Sequence, residues 1–505
     1  MGDQIQTTPH VAILPSPGMG HLFPLGEFAK RLVHQHNFSV TLIALAAGHP
    51  SKEQKAYLHS LGPSIGSRQL PPADLDDIPA DAKIETRISV TVARSLPPLR
   101  DVIASLKRTA HLTALVVDLF ATDALDVAKE FDLHPFIFFP PNAMALSVFL
   151  HLPELDRAIA CEYRDMPDPL ELPGCVPIRG EDLLDPIQDR SNEAYSWLLH
   201  HSKRFLQEAE GILVNTFVDL EPGAIGGLLK EEKSGDEKKA RRFPPVYPVG
   251  PLVQSSTAAV DGGAADDHHQ YSCLNWLEEQ PRGSVLFVSF GSGGTLSSEQ
   301  ITELAHGLEL SEQRFVWVVR RPNDGGVPNA SFFDSHGGGG GAADNNKLLL
   351  DGPSAFLPDG FLDRTKGVGR VLLSWAPQIE ILDHPSTGGF LTHCGWNSVL
   401  ESVVKGVPLI AWPLYAEQKM NALMLVEDIK VAIRPEINQK KRGLVERHEI
   451  ARVVKALMEG EEGKKLRSRM RDLKEAGARA LAQGGSSYNA LCEVASSWKK
   501  NKTLT

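Results

Sequence analysis

Cysteine is scarce in this 505-residue sequence. Its five copies (Cys161, Cys175, Cys273, Cys394 and Cys492) are odd in number and scattered. They offer neither a disulfide framework nor a zinc spacing, which excludes a small stapled scaffold and fits a reducing cytosol. A basic surplus is absent too. Lys and Arg number 52 against 63 Asp and Glu, a net charge of −11 with no basic patch, so no nucleic-acid partner is expected. Long apolar runs are also missing. The most apolar stretch, FIFFPPNAMALSVFLHL (136–152), is broken by Pro140-Pro141-Asn142 and is too short to span a bilayer. The first residues, MGDQIQTT, hold no secretory core, and Gln6 stands where a myristoylation signal needs Ser or Thr. A cytoplasmic protein with no membrane span is expected, and the length predicts two domains.

What is present concentrates in WAPQIEILDHPSTGGFLTHCGWNSVLESVVKGVPLIAWPLYAEQ, residues 375–418. STGGFLTH is a short apolar run, and CGWNSVLESVVKG has helical spacing, with Val399, Leu400, Val403 and Val404 on one face and Gly406 at its end. Asn397 and Ser398 stand at the helix start, where free N–H groups suit a phosphate. His393 beside them can donate to the same phosphate. Glu401, one turn on, can accept from a ribose diol, and the indole of Trp375 can stack on a base. Tyr415, Glu417 and Gln418 follow the strand VPLIAWP, and a carboxylate beside an amide suits sugar hydroxyls. Each has an ordinary counterpart: a core Trp, a simple cap, a structural His. In this order and spacing they describe a site for a nucleotide joined to a sugar through a diphosphate.

HVAILPSP (10–17), GMGH, a helical face from Leu25 to Val33 and FSVTLIAL (38–45) make a strand, glycine turn, helix and strand, a Rossmann-like unit. KIETRISVTVARSLPPLRDVIASLKR (83–108) is helical in pattern with a break at Pro97-Pro98. ALVVDLFATDALDVAKEFDLHPFIFFPP (114–141) repeats the strand–helix–strand order, with Asp118 ending its strand. His21 follows the first strand. Ligands of open α/β sheets bind beyond the carboxyl ends of strands, so His21 and Asp118 can meet over one crevice. Phe120 and Phe149 can line an apolar slot there or pack in the core. GILVNTFVDLEP (211–222) reads as the last strand of a first domain at 1–245, and 246–270 as a Pro- and Gly-rich linker. A second domain, 271–485, opens with another strand–glycine turn–helix–strand whose GSGGT loop offers N–H groups and Ser292 to a phosphate. Residues 321–359, with GGGGG, read as a flexible insertion, and 486–505 as a closing helix.

The 44-residue box resembles, without a gap, the signature of the plant family-1 UDP-glycosyltransferases, and the similarity extends over most of the chain, nearest in pattern to the hydroquinone glucosyltransferase branch. The resemblance implies an α/β GT-B fold, two Rossmann-like domains facing across a cleft. The acceptor lies on the first, UDP-glucose on the second, and 486–505 cross back to the first. It makes His21 the general base and Asp118 its support. Phenols titrate near ~10 and imidazole near ~6.5, so a neutral ring is available in the cytosol. It adds Gly20, Ala376, Gln378 and Trp396 to the donor residues Ser292, Trp375, His393, Asn397, Ser398, Glu401, Tyr415, Glu417 and Gln418, and puts Glu85 near the acceptor. Gln418 with Trp396 points to glucose, since galactose users carry His at position 418. No metal or cofactor is implied, and a monomer is expected. Asp74 and Asp76 form a DxD-like pair of the metal-dependent kind, but 62–82 reads as a solvated loop with no strand before it to position the pair. A nicotinamide oxidoreductase would need GxGxxG with an acidic residue about 20 residues on, which neither glycine turn supplies. A non-catalytic nucleotide-sugar binder would keep the box and lose the base.

Overall fold

The computed structural model describes residues 8–45, 52–79, 81–232, 240–254, 267–324, 352–441 and 443–500. The chain divides into two compact units, residues 1–254 with 477–505, and 255–476.

The first unit is built on a seven-stranded sheet. Its strands are β1 (Pro9–Leu14), β2 (Ser39–Ala44), β3 (Ile65–Gln69), β4 (His111–Asp118), β5 (His134–Phe139), β6 (Gly211–Val214) and β7 (Val246–Pro248), in the order β3-β2-β1-β4-β5-β6-β7. Every neighbouring pair is parallel. A parallel sheet covered on both faces needs continuous apolar strands, and VAIL, ALVV and FIFF supply them. The chain leaves β1 through a helix on one side, crosses to β4 on the other, and so opens a switch point between the carboxyl ends of β1 and β4. Leu14 pairs with Val117, which puts the residues after β1 level with Asp118.

Two strands depart from the sequence expectation. β3 lies inside the stretch read as a strandless loop; only Ile65 of IGSRQ is buried, and an edge strand so polar carries no apolar alternation. β7 falls where a linker was expected from residue 246, so β6 is not the last strand of its sheet. Three residues framed by prolines read as loop, yet an edge strand tolerates proline. Asp74 and Asp76 therefore do follow a strand, but they serve the loop itself: Asp74 Oδ1 accepts from the Asp76 N–H at 3.0 Å, and Arg94 donates to the Asp74 carbonyl and to both oxygens of Asp77. The helical pattern of 83–108 divides into Ile84–Arg94 and Leu96–Thr109, broken at Ser95 just ahead of the proline pair.

The second unit repeats the plan with six parallel strands: β8 (Val285–Ser289), β9 (Arg314–Val319), β10 (Gly369–Leu373), β11 (Thr387–Thr392), β12 (Leu409–Ala411) and β13 (Ala432–Ile433). Their order is β10-β9-β8-β11-β12-β13, with the switch point between β8 and β11. Of the insertion read at 321–359, residues 325–351 lie outside the described residues. Asp324 accepts from the Ser298 N–H and hydroxyl at the start of the helix Ser298–Ser311. Among the described residues no helix is long and apolar enough to cross a membrane.

The helix Ser486–Trp498 packs into the first unit's core through Leu491, Val494, Ala495 and Trp498. The fully buried Trp498 ring meets Phe136 edge-on at 5.0 Å and Phe38 at 6.2 Å. Trp498→Ala should destabilise this unit by about 3–5 kcal/mol, read as a lower urea midpoint for loss of near-UV circular dichroism. An unchanged midpoint would mean that the closing helix is dispensable for the sheet it covers.

Candidate active site

In the first unit the switch point holds a buried carboxylate. Asp118, the last residue of β4, is completely buried. Its Oδ2 lies 3.0 Å from His21 Nδ1, and its Oδ1 accepts from the Ser16 hydroxyl at 2.6 Å and the Phe120 N–H at 3.4 Å. A buried ionised group needs such donors, since desolvation without them costs several kcal/mol. The helix after β1 begins at Met19, so His21 is its third residue and not part of the turn before it. Gly20, exposed, precedes it in the same turn. With Nδ1–H given to Asp118, the tautomer leaves the ring lone pair on Nε2.

Phe120 is half-buried and meets the His21 ring edge-on at 5.8 Å. Behind it stands His201, 1% exposed, with one nitrogen 2.9 Å from Ser89 Oγ and the other 2.7 Å from Thr122 Oγ1. Burial pushes its pKa down to about 3, so the ring is neutral and Phe120 rests on it at 6.0 Å. Glu85, half-buried, lies one helical turn before Ser89, whose hydroxyl donates to the Glu85 carbonyl. Phe149 stands apart from this group. It is 2% exposed in the middle of the helix Ala143–Ala158, packed on Phe205 at 4.8 Å and Phe139 at 5.8 Å, and its ring belongs to the core.

The second unit's strand ends carry the box residues. Three of their loops hold a non-glycine residue in the left-handed region: Ser374 (φ 64°) after β10, Cys394 (φ 65°) after β11 and Ala416 (φ 58°) after β12. Elsewhere such residues end helices, as Asn37 and Glu312 do. Strain of ~1–3 kcal/mol per residue persists where surroundings over-determine it, as at ligand sites. One such constraint is visible: Asn421 Nδ2 donates to the Cys394 carbonyl at 2.8 Å.

Trp375 is 56% exposed, so it is not a core tryptophan; Ala376, which follows, is buried. The helix Trp396–Lys405 has Gly395 as its N-cap, so no side chain caps it, and Asn397 and Ser398 stand in its first turn. Trp396 itself is 4% exposed. Gln378 Nε2 donates to Ser398 Oγ at 2.9 Å and to Glu401 Oε2 at 2.6 Å, tying the Trp375 loop to that helix. Burial pushes the Glu401 carboxyl up to about 7, against the opposing pull of the Gln378 hydrogen bond. Gln418 is 3% exposed and its Oε1 accepts from the N–H groups of Leu414 and Tyr415 at 2.9 and 3.0 Å, folding the loop back on the helix Gln418–Glu427. Glu417 Oε1 accepts from Asn421 Nδ2.

His393, 7% exposed, is pressed between two glycine backbones across the switch point. A Cβ on Gly291 would stand 2.5 Å from its Cε1 and Nε2, and one on Gly395 2.5 Å from Nε2. Burial, helped by the charge of Arg320, pushes its pKa down to about 4, so the ring is neutral. Ser292, exposed, lies in the loop that follows Gly291, and Arg320 Nη1 donates to its carbonyl. Among the described residues no group of three His, Cys, Asp or Glu could hold a metal ion.

Two parallel sheets with donors gathered at each switch point invite comparison with known proteins. Residues 243–465 match the family model of UDP-glucoronosyl and UDP-glucosyl transferases. The hydroquinone glucosyltransferase of Rauvolfia serpentina is 56% identical over 501 residues, which cover 99% of this chain and 100% of that protein. The chain belongs to the plant family-1 UDP-glycosyltransferases. UDP-glycosyltransferase 72B1 of Arabidopsis thaliana is 57% identical to this glycosyltransferase over 496 residues, 98% of this chain and 97% of the relative. A UDP-glucosyltransferase from Polygonum tinctorium capable of glucosylating indoxyl, solved with 3,4-dichloroaniline, matches with TM-score 0.85 and 53% identity, covering 98% of this chain and 99% of that one. Phytolacca americana UGT2 with UDP-2-fluoro-glucose and pterostilbene matches with TM-score 0.84 and 50% identity, covering 98% and 100%. The fold class of the glycosyltransferase is GT-B. Membership removes the nicotinamide oxidoreductase alternative.

Sequence reasoning missed Ser16, His201 and Arg320 in this site. Ser16 and Arg320 had a signal, since each follows a strand of a parallel sheet as His21 does; His201 had none, because nothing local to LLHHS says what it meets. The glycine contacts of His393 make a direct test. Gly395→Ala (φ −60°, so unstrained) should cost about 1–3 kcal/mol by overpacking. Adding His393→Ala should recover part of that loss, so a double-mutant cycle in urea should give a coupling of opposite sign to the single effect. Strict additivity would mean that the ring does not constrain the loop.

Proposed function

We propose that this glycosyltransferase moves glucose from UDP-glucose to the hydroxyl of a small aromatic acceptor in one inverting displacement. His21 Nε2 takes the hydroxyl proton as the oxygen bonds to the sugar C1, the bond from C1 to the diphosphate breaks on the opposite face, and a β-glucoside results. Asp118 holds the tautomer and balances the imidazolium that forms. The observation that carries this reading is the 3.0 Å contact of His21 Nδ1 with a carboxylate that is itself buried and held by Ser16. A non-catalytic binder would have no use for that arrangement.

On the donor side, Trp375 stacks on the uracil and Glu401, steadied by Gln378, takes the ribose diol. The diphosphate rests against the first turn of Trp396–Lys405 with Asn397, Ser398, His393 and Ser292. These fixed donors stabilise the leaving charge, so the transfer calls for no metal. Glu417 and Gln418 take the glucose hydroxyls. The Gln418 carbonyl is engaged by Leu414 and Tyr415, which makes its NH2 the group presented to the sugar. Glucose is supported by the relatives, a hydroquinone glucosyltransferase and an indoxyl-glucosylating enzyme. Their flat aromatic acceptors suit a slot bounded by Phe120. Hydroquinone-like phenols and hydroxyindoles are accordingly the acceptors to screen first.

His21→Ala should lower kcat by about 10²–10⁴ with UDP affinity retained; full activity in this variant would remove the base assignment. Glu401 adds a pH dependence. Its pKa of about 7 means a neutral acid below that pH and a carboxylate above it, and a ribose diol donates better to the carboxylate. UDP-glucose affinity should therefore climb by up to about tenfold per pH unit below 7 and level off above it. Calorimetric titration from pH 5.5 to 8.5 would read this, and Glu401→Gln should flatten the profile.

A further inference from the structure

Arg320 follows β9 directly, at the carboxyl edge of the second sheet. It is half-buried, and its Nε is enclosed without a hydrogen-bond partner. Nη1 donates to the Ser292 carbonyl in the glycine loop after β8, and Nη2 donates to the Ser374 carbonyl, next to Trp375, at 2.9 Å. Among the described residues no carboxylate pairs with it. Burial lowers its pKa, and only the Tyr415 hydroxyl opposes that. Its charge in turn reaches His393 and Tyr415. Leaving a guanidinium desolvated and unmatched is costly in a folded protein, and a strand-end arginine that only braced two loops would be served as well by a neutral amide.

We propose that Arg320 is a positioning residue of the donor site, whose guanidinium ties the glycine loop 291–295 to the loop bearing Trp375 and supplies the fixed positive charge that a diphosphate held by those loops meets. The inference rests on the donor reading above and extends it to a residue outside the signature box. Its two Nη groups are spent on carbonyls, so its charge acts through the loops it holds, while the helix N-terminus makes the direct contacts. The carbonyl dipoles pointing at the guanidinium orient the far ends of the same peptide units, their N–H groups, away from it.

Calorimetric titration of UDP and of uridine separates charge from shape, because uridine keeps the base and ribose and lacks the diphosphate. Arg320→Met should weaken UDP about tenfold or more and uridine less than threefold, and should raise KM for UDP-glucose more than it lowers kcat. Arg320→Lys, which keeps the charge, should recover at least half of the loss in UDP affinity on a logarithmic scale. UDP affinity of the Met variant within twofold of the parent, or equal weakening of UDP and uridine, would overturn the inference. Should the Met variant not fold, the same UDP-to-uridine comparison in Arg320→Gln decides it. A parent chain that binds no UDP would overturn the donor reading and this inference together; UDP binding that survives loss of Arg320 overturns the inference alone.

Discussion

A carboxylate with no exposure at the end of β4 imposes more on the first unit than any other group. Asp118 is held there by donors that reach both oxygens, Ser16 and His21 from the exit of the neighbouring strand and the Phe120 N–H from its own. Parallel pairing of β1 with β4 brings Ser16 and His21 to the required level. The imidazole is then held in one tautomer and one orientation before any ligand arrives. Preorganisation of this kind is what the general-base role proposed for His21 calls for. The neutral His201 beneath Phe120 continues the same logic outward: with both nitrogens engaged by Ser89 and Thr122, the ring cannot turn, and the apolar face next to His21 keeps its shape.

The second unit meets a different constraint, the close approach of two backbones to one ring. Gly291 and Gly395 leave the space that His393 fills, and the left-handed residues Ser374, Cys394 and Ala416 bend the surrounding loops away from regular structure. These loops are cross-tied by side chains and not by sheet: Gln378 to Ser398 and Glu401, Gln418 to Leu414 and Tyr415, Asn421 to Cys394. The polar residues that pattern alone would assign to a ligand are thus also the framework of the site. Gln418 shows this most clearly, since its carbonyl is committed to the backbone and only its amide nitrogen differs in what it can meet.

What could be read in advance follows the range over which the information is written. The apolar strands, the helix Trp396–Lys405 with its glycine end, and the break before Pro97-Pro98 are local patterns, and they were legible. The strands at 65–69 and 246–248 were not, because an edge strand of polar or proline-flanked residues owes its existence to its neighbour, not to its own alternation. His21 and Asp118 could be paired in thought because both follow strands of one parallel sheet. Ser16, His201 and Arg320 take their meaning from groups 28 to 112 residues away in sequence, from Arg320 to Ser292 at one end to His201 and Ser89 at the other, and no periodicity encodes that. Phe149 illustrates the converse: a phenylalanine after a sheet strand is the same letter whether it lines a slot or packs against Phe139 and Phe205, and here it packs.

The two sheets share one strand order and carry opposite charge at their switch points. The first places a carboxylate there and surrounds it with hydroxyl and imidazole donors. The second places a half-buried guanidinium, a helix N-terminus and a neutral histidine there, and burial pushes the carboxyl of Glu401 up to about 7. Sheet order alone therefore cannot decide which half takes which partner, because both offer the same crevice. The sign of the charge at each crevice supports the division proposed above: an anionic diphosphate is repelled by a buried carboxylate and attracted by a guanidinium, while a base that takes a proton is helped by a carboxylate beside it. Similar architecture with opposite charge at the two crevices is what the proposed transfer, with its anionic donor and its proton-losing acceptor, would use.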